Sequence, residues 1–415
     1  MDTPGAPGAG VTAAPAGRAP GADPVAGRVR RARNAVATVF TLAGFAVATW
    51  ISRIPNVRDE LDLTPGQLGT VLLVGAVGSV IALPTAGPVI NRVGAARTVA
   101  GAAVLSGAGM TLGGLGAGPL TSVVAVAAGL FAIFFGAGAW DVAMNVEGAE
   151  VERRLGRTVM PRLHAGFSLG TVIGAGLGAA AIAAGVPVAV HLALVGLATV
   201  VIAAGASRRF LPATAPPAAG DATAAARPSV WSAWREPRTL LIGVLVFAFA
   251  LGEGIAYDWL ALGFIDGFGV SKATGAVAFT VFVTAMTAAR MFGTTAIDRY
   301  GRVVVLRVTA GLAAVGVLAV VFGGSLPVAL LGAAAWGTGT ALGFPLGMSV
   351  AAEDPRRAAV RVSVVSSIAY TAFLAGPPLL GGIGDRVGVQ RALLVAAVAM
   401  LIGAAVAGVS RTGRR

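Results

Sequence analysis

The chain alternates between long apolar runs and short polar connections. A helix needs about 20 apolar residues to cross a hydrocarbon core that is about 30 Å thick. The runs show no alternation of apolar and polar positions, which membrane β-barrels require. The pattern therefore predicts an all-α integral membrane protein with twelve transmembrane helices. The predicted spans are 34–52, 66–90, 98–116, 119–148, 160–184, 187–207, 239–263, 275–297, 302–323, 326–352, 362–380 and 388–409.

Polar segments divide these spans into two sets of six. Residues 1–33 are dominated by Ala, Gly and Pro and are predicted to be a disordered tail. The longest internal polar segment, 208–238, is also rich in Pro and Ala and is predicted to be a linker. It separates a six-helix bundle at 34–207 from a second at 239–409, and residues 410–415 form a short tail.

The composition agrees with a membrane protein and excludes several kinds of chemistry. The chain is 56% hydrophobic and 12% charged, so a soluble fold could not cover its apolar surface. The absence of cysteine excludes disulfides, thiolate metal sites and cysteine nucleophiles. Two histidines and no phosphate-binding loop give no basis for a metal centre, a nucleotide-driven pump or an enzyme. We expect no cofactor and no metal.

The net charge of +13 would suit a nucleic-acid-binding protein, but its distribution favours a membrane. Twenty-five of the 31 basic residues fall in the connections and tails on the side of the two termini, and five fall on the other side. This bias predicts that both termini lie in the cytoplasm and that the protein resides in the cytoplasmic membrane. The expected partners are the lipid bilayer, a small-molecule substrate and protons, with no nucleic acid. We expect a monomer.

The two halves carry related loops. GPVINRVGAAR (87–97) follows the second run, and AIDRYGR (296–302) follows the eighth, about 207 positions later. Such parallel repeats predict two six-helix bundles related by a pseudo-two-fold axis along the membrane normal. The residues of these loops are Gly87, Asn91, Arg92, Gly94, Asp298, Arg299 and Gly301.

These loops, the six-plus-six plan and the central linker resemble the major facilitator superfamily. The resemblance implies secondary transport by alternating access, with the loop motifs gating the cytoplasmic side. A finer similarity lies in D-V-A-M-N (141–145), which resembles the carboxylate and asparagine in helix 4 of fucose:proton symporters. That similarity implies roles for Asp141 and Asn145 in proton coupling and sugar binding. In RLHAGFSLG, His164 stands where those permeases carry an amide that faces sugar.

Several polar residues interrupt the apolar runs. Glu253 lies near the middle of the seventh run, with Tyr257 one turn further on and Asp258 beside it. An ionisable group at mid-membrane is a candidate for function, although neighbouring glycines also fit a structural break in the helix. Asp141, with Asn145 one turn on, is another candidate, and a structural contact between helices is its alternative.

Arg290 lies deep within a predicted span, and it needs a counter-ion. Its candidate partners are Asp141 and Glu253, and a structural pair that supports the loop motif is the alternative. His164 could share a proton with Asp141 or simply bond a loop carbonyl. Trp336 could line a solute cavity or fill an interface. The acidic segment RDELDL (58–63) is expected to be a solvated connector.

Together these features predict a proton-coupled secondary transporter of a small polar solute, such as a sugar or a related metabolite. Drug or metabolite efflux by proton antiport is the alternative. Asp141 and Glu253 are the predicted proton-binding and solute-binding acids, and the residues around them shape the site. The sequence does not identify the solute, the direction or the stoichiometry.

Overall fold

A computed structural model describes residues 24–156, 159–212, 230–354 and 357–411. Within these ranges the chain forms helices joined by short connections. The helices of the first half are α1 (Pro24–Ser52), α2 (Ile54–Glu60), α3 (Pro65–Val93), α4 (Ala95–Ala117), α5 (Val123–Leu155), α6 (Met160–Ala183) and α7 (Val188–Ser207).

The second half repeats this plan after a short helix. Its helices are α8 (Val230–Trp234), α9 (Pro237–Phe268), α10 (Lys272–Tyr300), α11 (Arg302–Phe322), α12 (Leu326–Thr340), α13 (Gly343–Ala351), α14 (Ala358–Val387), α15 (Val389–Ala392) and α16 (Leu394–Val406), with a 3₁₀ turn at Ala407–Ser410. The described residues contain twelve segments that are long and apolar enough to cross a membrane. Three of them consist of consecutive helices, namely α1–α2, α12–α13, and α15–α16 with the 3₁₀ turn. The predicted number of spans is confirmed.

The helices form two six-span bundles related by a pseudo-two-fold axis, as predicted. Equivalent close contacts recur in both bundles. A Cβ on Gly109 would lie 2.6 Å from the carbonyl oxygen of Gly129, and a Cβ on Gly316 would lie 2.5 Å from that of Gly332. Only glycine permits backbones to approach so closely, and helices in lipid depend on such packing because apolar side chains gain nothing by leaving the lipid.

The two ends of the molecule have distinct connections. We call the end where α1 begins and the 3₁₀ turn finishes the terminal face; it also carries the turns at Gly94 and Gly301 and the segment between the bundles. The other end, the opposite face, carries the connections at 61–64, 118–122, 184–187, 269–271 and 323–325 and the turn at Gly388. Three helices start at the opposite face with a capping side chain, from Thr64, Ser122 and Ser271, which accepts a backbone N–H two or three residues on.

Helix ends extend beyond the apolar runs. α1 begins at Pro24, inside the segment predicted to be a disordered tail, and its early residues Val29 and Ala32 are buried. The predicted linker contains α8 and the start of α9, while its central part, like residues 1–23 and 412–415, lies outside the described residues. α5 has 33 residues and is therefore about 50 Å long, which places Asp141 about 20 Å from its end.

One turn recurs three times. Gly94 (φ 86, ψ 158), Gly301 (φ 80, ψ 156) and Gly388 (φ 84, ψ 150) each separate two helices with the same backbone conformation. A positive φ of this kind strains other residues and suits glycine. The first two turns belong to the repeated loops at the terminal face. The third follows Asp385 and Arg386 at the opposite face.

Candidate functional site

A cavity of about 320 Å³ lies between the two bundles. Volumes of this size are typical of small-molecule sites. Helices α1, α3, α5 and α6 of the first bundle and α9 and α14 of the second contribute to its wall. The residues that line it are Val47, Ile51, Leu72, Ala76, Ser79, Val80, Phe134, Phe167, Glu253, Gly254, Tyr257, Asp258, Tyr370, Phe373 and Pro377.

The polar wall of the cavity comes mainly from α9. Glu253 lies at the middle of this 32-residue helix, and Tyr257 and Asp258 follow one turn nearer the opposite face. All three line the cavity. The structure therefore places these three predicted residues together near the middle of α9, on the wall between the bundles.

Arg290 of α10 pairs with Glu253. Its Nη2 donates to the two carboxylate oxygens of Glu253 at 3.0 and 2.9 Å. Its Nε donates to the carbonyl oxygen of Ala341 at 3.1 Å. The tenth span is broken between α12 and α13 at this point, so the Ala341 carbonyl does not accept a hydrogen bond from a continuing helix. Of the two partners expected for Arg290, the structure selects Glu253.

The ion pair is partly accessible. The side chains of Arg290 and Glu253 keep 29% and 17% of their exposure. A fully enclosed pair would be fixed by the cost of separating its charges, whereas a partly exposed pair can open. The geometry therefore suits a pair that is made and broken.

Tyr257 continues into an aromatic column behind the cavity. Its ring meets Phe279 and Phe282 edge to face, with centroids 5.5 and 6.3 Å apart. Phe282 in turn contacts Trp336 at 5.8 Å. Trp336 is fully buried and lies behind this column, so the structure does not place it on the cavity wall. The sequence could not distinguish between these two positions for Trp336, because an aromatic residue in a membrane helix can either pack between helices or line a binding cavity.

Asp141 and Asn145 lie together on α5. The Asn145 amide donates to the backbone carbonyl of Asp141 at 2.8 Å and to its carboxylate at 3.3 Å. Asp141 is exposed, and its carboxylate interacts electrostatically with the hydroxyl of Tyr370, which lines the cavity from the other bundle. Asp141 therefore faces the space between the bundles, and among the described residues its only hydrogen-bond partner is Asn145.

His164 lies on α6, on the Arg290 side of the site. Its ring meets Phe40 edge to face at 5.1 Å, and it interacts electrostatically with Arg290. No hydrogen bond joins His164 to Asp141 in the described part of the chain. The structure thus brings His164 to the space between the bundles without pairing the two residues.

The opposite face is closed by polar contacts between the bundles. Arg58 pairs with Asp266 at 2.7 Å, and Lys272 pairs with Asp59 at 3.0 Å. RDELDL was expected to be a solvated connector; Asp59 is exposed, but Arg58 is largely covered, and both residues pair with the other bundle. Their partners are about 200 positions away in the sequence, so no local pattern could reveal the pairing.

Backbone contacts reinforce this closure. The backbone N–H of Gly66, at the start of α3, donates to Asp385 at the end of α14 at 3.0 Å. Two glycines allow the same helices to touch, because a Cβ on Gly69 would collide with the carbonyl of Pro377 and one on Gly381 would lie 2.5 Å from the carbonyl of Pro65. The Asp385 turn therefore joins α14 to the helix start of the other bundle.

At the terminal face, each ion pair described by the structure stays within one bundle. Glu236 pairs with Arg361 at 2.7 Å and also with Arg357. Glu353 pairs with Arg238 at 3.0 Å and also with Arg302. These four arginines and two glutamates all belong to the second bundle or to the segment that leads into it.

The predicted gating loops are exposed at the terminal face. Among the described residues, the side chains of Asn91, Arg92 and Asp298 form no hydrogen bond or ion pair, and Arg299 stacks over the ring of Tyr300 at 5.3 Å. Gly87 has open space around it, and Gly94 and Gly301 make the turns described above. Within the described ranges, these loops therefore make no polar contact with the other bundle. At the opposite face, by contrast, ion pairs and a hydrogen bond join the two bundles.

The sequence did not indicate the phenylalanines of the cavity wall. Phe134, Phe167 and Phe373 come from three helices that are distant in sequence. Polar residues on the same wall, such as Ser79, are a pattern from which the cavity-facing sides of the helices could have been predicted. Phenylalanine alone does not distinguish a cavity-lining position from a lipid-facing one. In the residues that the structure covers, no three His, Asp or Glu side chains lie close enough together to hold a metal ion.

Two membrane-spanning six-helix bundles with a cavity at mid-depth between them are the architecture of secondary transporters built from two parallel repeats. A family model described as Major Facilitator Superfamily matches residues 35–359 and 242–414, and the chain belongs to this family. It is a multi-pass membrane transporter.

Similar proteins agree with this assignment. The chain is 31% identical over 351 residues to the uncharacterized transporter y4wD of Sinorhizobium fredii, covering 83% of this chain and 89% of that protein. The nucleoside transporter NupG superposes with a TM-score of 0.74 at 12% identity, covering 93% of this chain and 100% of that one. The E. coli fucose:proton symporter FucP superposes with a TM-score of 0.63 at 17% identity, covering 92% and 98%. At these identities the two structures show a shared fold.

Proposed function

We propose that the protein is a proton-coupled secondary transporter that moves a small polar solute across the cytoplasmic membrane by alternating access. The terminal face lies in the cytoplasm in this proposal, because most of the basic residues lie on that side. The solved relatives support a polar solute, since one is named as a nucleoside transporter and another as a fucose:proton symporter.

The Glu253–Arg290 pair on the wall between the bundles is the observation that carries this proposal. A proton on Glu253 removes one charge of the pair and weakens its hold on Arg290. The guanidinium can then donate to an oxygen of the solute, and its Nη1 makes no hydrogen bond with any other described residue. Proton binding and solute binding thus become linked, because both alter the same ion pair.

The closed opposite face supports a cycle in which access alternates. In the conformation described, Arg58, Lys272 and Asp385 join the bundles on that side. Among the described residues, the loops of Asn91, Arg92, Asp298 and Arg299 make no polar contact with the other bundle. In the other half of the cycle, the contacts at the opposite face break and these loops approach the neighbouring helix starts, whose free N–H groups attract acceptors.

The remaining polar residues surround the pair. Tyr257 offers a hydroxyl on the cavity wall, and Asp258 offers a carboxylate. Asp141, with Asn145, brings a second carboxylate from the first bundle, and His164 lies near Arg290. Because they come from both bundles, a solute held by them would link the two halves and favour their joint movement.

Reconstitution into proteoliposomes tests the proposal. Purified protein is first screened for thermal stabilisation by sugars, sugar acids, polyols and nucleosides, and compounds that stabilise it are assayed for uptake under an imposed pH gradient. We expect Glu253→Gln to abolish pH-driven accumulation and to retain solute exchange. Glu60→Gln, which removes an exposed carboxylate at the opposite face, is the matched control. Full accumulation by Glu253→Gln would remove Glu253 from the coupling mechanism.

A further inference from the structure

The charges on the cavity wall do not balance. Glu253 is neutralised by Arg290, whose Nε is already used by the carbonyl of Ala341. Asp258 lines the same cavity, and within the described ranges it has no hydrogen-bond or ion-pair partner. A carboxylate at this depth is costly without a counter-charge. The cavity therefore holds an acceptor that the protein itself leaves unpaired.

A second carboxylate adds to this imbalance. Asp141 accepts only from the amide of Asn145 on its own helix, and it interacts with Tyr370 on the cavity wall. His164 is the remaining group near the pair that can carry a positive charge, and it interacts electrostatically with Arg290. Even when His164 is protonated, the two aspartates, Glu253 and Arg290 together leave a net negative site.

The apolar part of the wall also favours a cation. Five aromatic residues from both bundles contribute to it. Aromatic ring faces carry partial negative charge and attract ammonium groups within about 6 Å, most strongly where water is excluded. The lining aromatics are Phe134, Phe167, Tyr257, Tyr370 and Phe373.

We propose that the transported solute carries a positively charged nitrogen, and that Asp258 receives this ammonium group inside the cavity. This inference rests on the proposed transport function and names the class of its substrate. An anion would meet the uncompensated carboxylate of Asp258 on the cavity wall, and a neutral solute would leave that carboxylate without a counter-charge. An ammonium group satisfies Asp258 and the aromatic wall together, while Arg290 remains available for oxygens on the same solute.

The absence of cysteine from the chain permits a direct test that does not require a known substrate. A single thiol is introduced by Ser79→Cys, on the cavity wall. Its reaction rates are measured with two methanethiosulfonate reagents of similar size, one with a trimethylammonium group and one with a sulfonate. The ratio of the two rates reports the electrostatic potential in the cavity.

We expect the ratio to favour the cation and to fall at least about fivefold when Asp258→Asn is added, since one charge is removed at short range. Asp258→Glu should keep the ratio, and Glu60→Gln should leave it unchanged. A ratio that Asp258→Asn does not alter would mean that Asp258 is uncharged there, and the proposal would be overturned. Thermal unfolding of each variant confirms that it is folded.

Protection of the same thiol identifies what the charge binds. Glucosamine, ethanolamine and methylamine are compared with glucose, ethylene glycol and methanol as matched hydroxyl compounds. We expect slower modification with the amines, with the effect lost in Asp258→Asn. Equal protection by the hydroxyl compounds, or no protection by any amine, would overturn the proposal. Neither result would bear on carrier activity, which the flux assay measures separately.

Discussion

Arg290 donates hydrogen bonds from one nitrogen to both carboxylate oxygens of Glu253 and from another to the carbonyl of Ala341. One side chain therefore joins α10 to the middle of α9 and to the break in the tenth span. The charge state of Glu253 is thus connected to a point where a helix is interrupted and its backbone is free to rearrange.

Replacing Arg290 by alanine should destabilise the protein and abolish pH-driven transport. Breaking a buried ion pair costs about 3 to 5 kcal/mol, and we expect about 1 to 3 kcal/mol here because both side chains are partly exposed. Thermal unfolding in detergent and proteoliposome uptake measure the two effects.

A double variant separates the pair from other effects of Arg290. If Glu253 is the residue left unpaired, adding Glu253→Gln to Arg290→Ala should recover part of the lost stability. Arg290→Lys should recover little, because an ammonium cannot reach Glu253 and Ala341 with the geometry of a guanidinium. Strictly additive losses in the double variant would show that the two side chains are not coupled.

Asp385 should hold the opposite face closed. Asp385→Ala removes the acceptor for the Gly66 N–H, an effect of about 1 kcal/mol for a helix cap. We expect the population of molecules closed at the terminal face to rise about fivefold. Spin labels on Ala149→Cys and Ser363→Cys, exposed positions in different bundles, would report a shorter distance. Asp385→Asn retains an acceptor oxygen and is the control; an unchanged distance distribution in Asp385→Ala would contradict this role.

Two adjacent glycines in α14 offer a matched comparison. A methyl group on Gly381 would meet the carbonyl oxygen of Pro65 at 2.5 Å, whereas nothing lies within 4 Å of one on Gly382. Gly381→Ala should force the opposite face apart and expose Ser79→Cys to impermeant reagents added from that side. Gly381→Ala and Gly382→Ala increase the helix propensity of α14 by the same amount. A difference between the two variants therefore reports the close backbone contact. Equal accessibility in the two variants would argue against close backbone contact as the cause of closure.

Glu236 provides a pH-dependent contribution at the terminal face. Partial burial raises its pKa, but hydrogen bonds from Thr239 and Arg361, with the charges of Arg361 and Arg357, outweigh this and lower the pKa below its ordinary value of 4.5. A lowered pKa means that the ionised form stabilises the fold above pH 4.5, and that this stabilisation is lost as the pH falls through the lowered value. Glu236→Gln should therefore melt earlier than the wild type at pH 7. The two melting temperatures should converge in acid, and a difference that persists at low pH would point to a contribution other than charge.

Hydropathy and charge alone anticipated most of the fold. Twelve apolar runs and the bias of the arginines are local properties, and the repeated loops at Asn91 and Asp298 indicated the two halves. Glu253 could be placed near mid-depth by counting residues along its run. These features follow from the thickness of the hydrocarbon and the rise of a helix, which do not depend on how the helices pack.

The pairing within the site could not be predicted in the same way. Arg290 had two candidate partners on different helices, and only the packing and rotation of those helices decide between them. The break at Ala341 was missed, although Gly343 and Pro345 nearby are residues that interrupt helices. Arg58 and Asp59 looked like parts of a solvated connector because their partners belong to the other bundle. Trp336 was ambiguous because packing and binding favour the same residue type.

The recurrence of one glycine turn at Gly94, Gly301 and Gly388 has a consequence for the molecule at rest. The turn at the opposite face presents a carboxylate, Asp385, to a helix start, whereas the equivalent positions at the terminal face hold the neutral amide of Asn91 and the carboxylate of Asp298. A negative group is attracted to a helix start more strongly than a neutral one. The first bundle therefore lacks one attraction that could close the terminal face, and we expect Asn91→Asp to increase the fraction of solute-free molecules that are closed there.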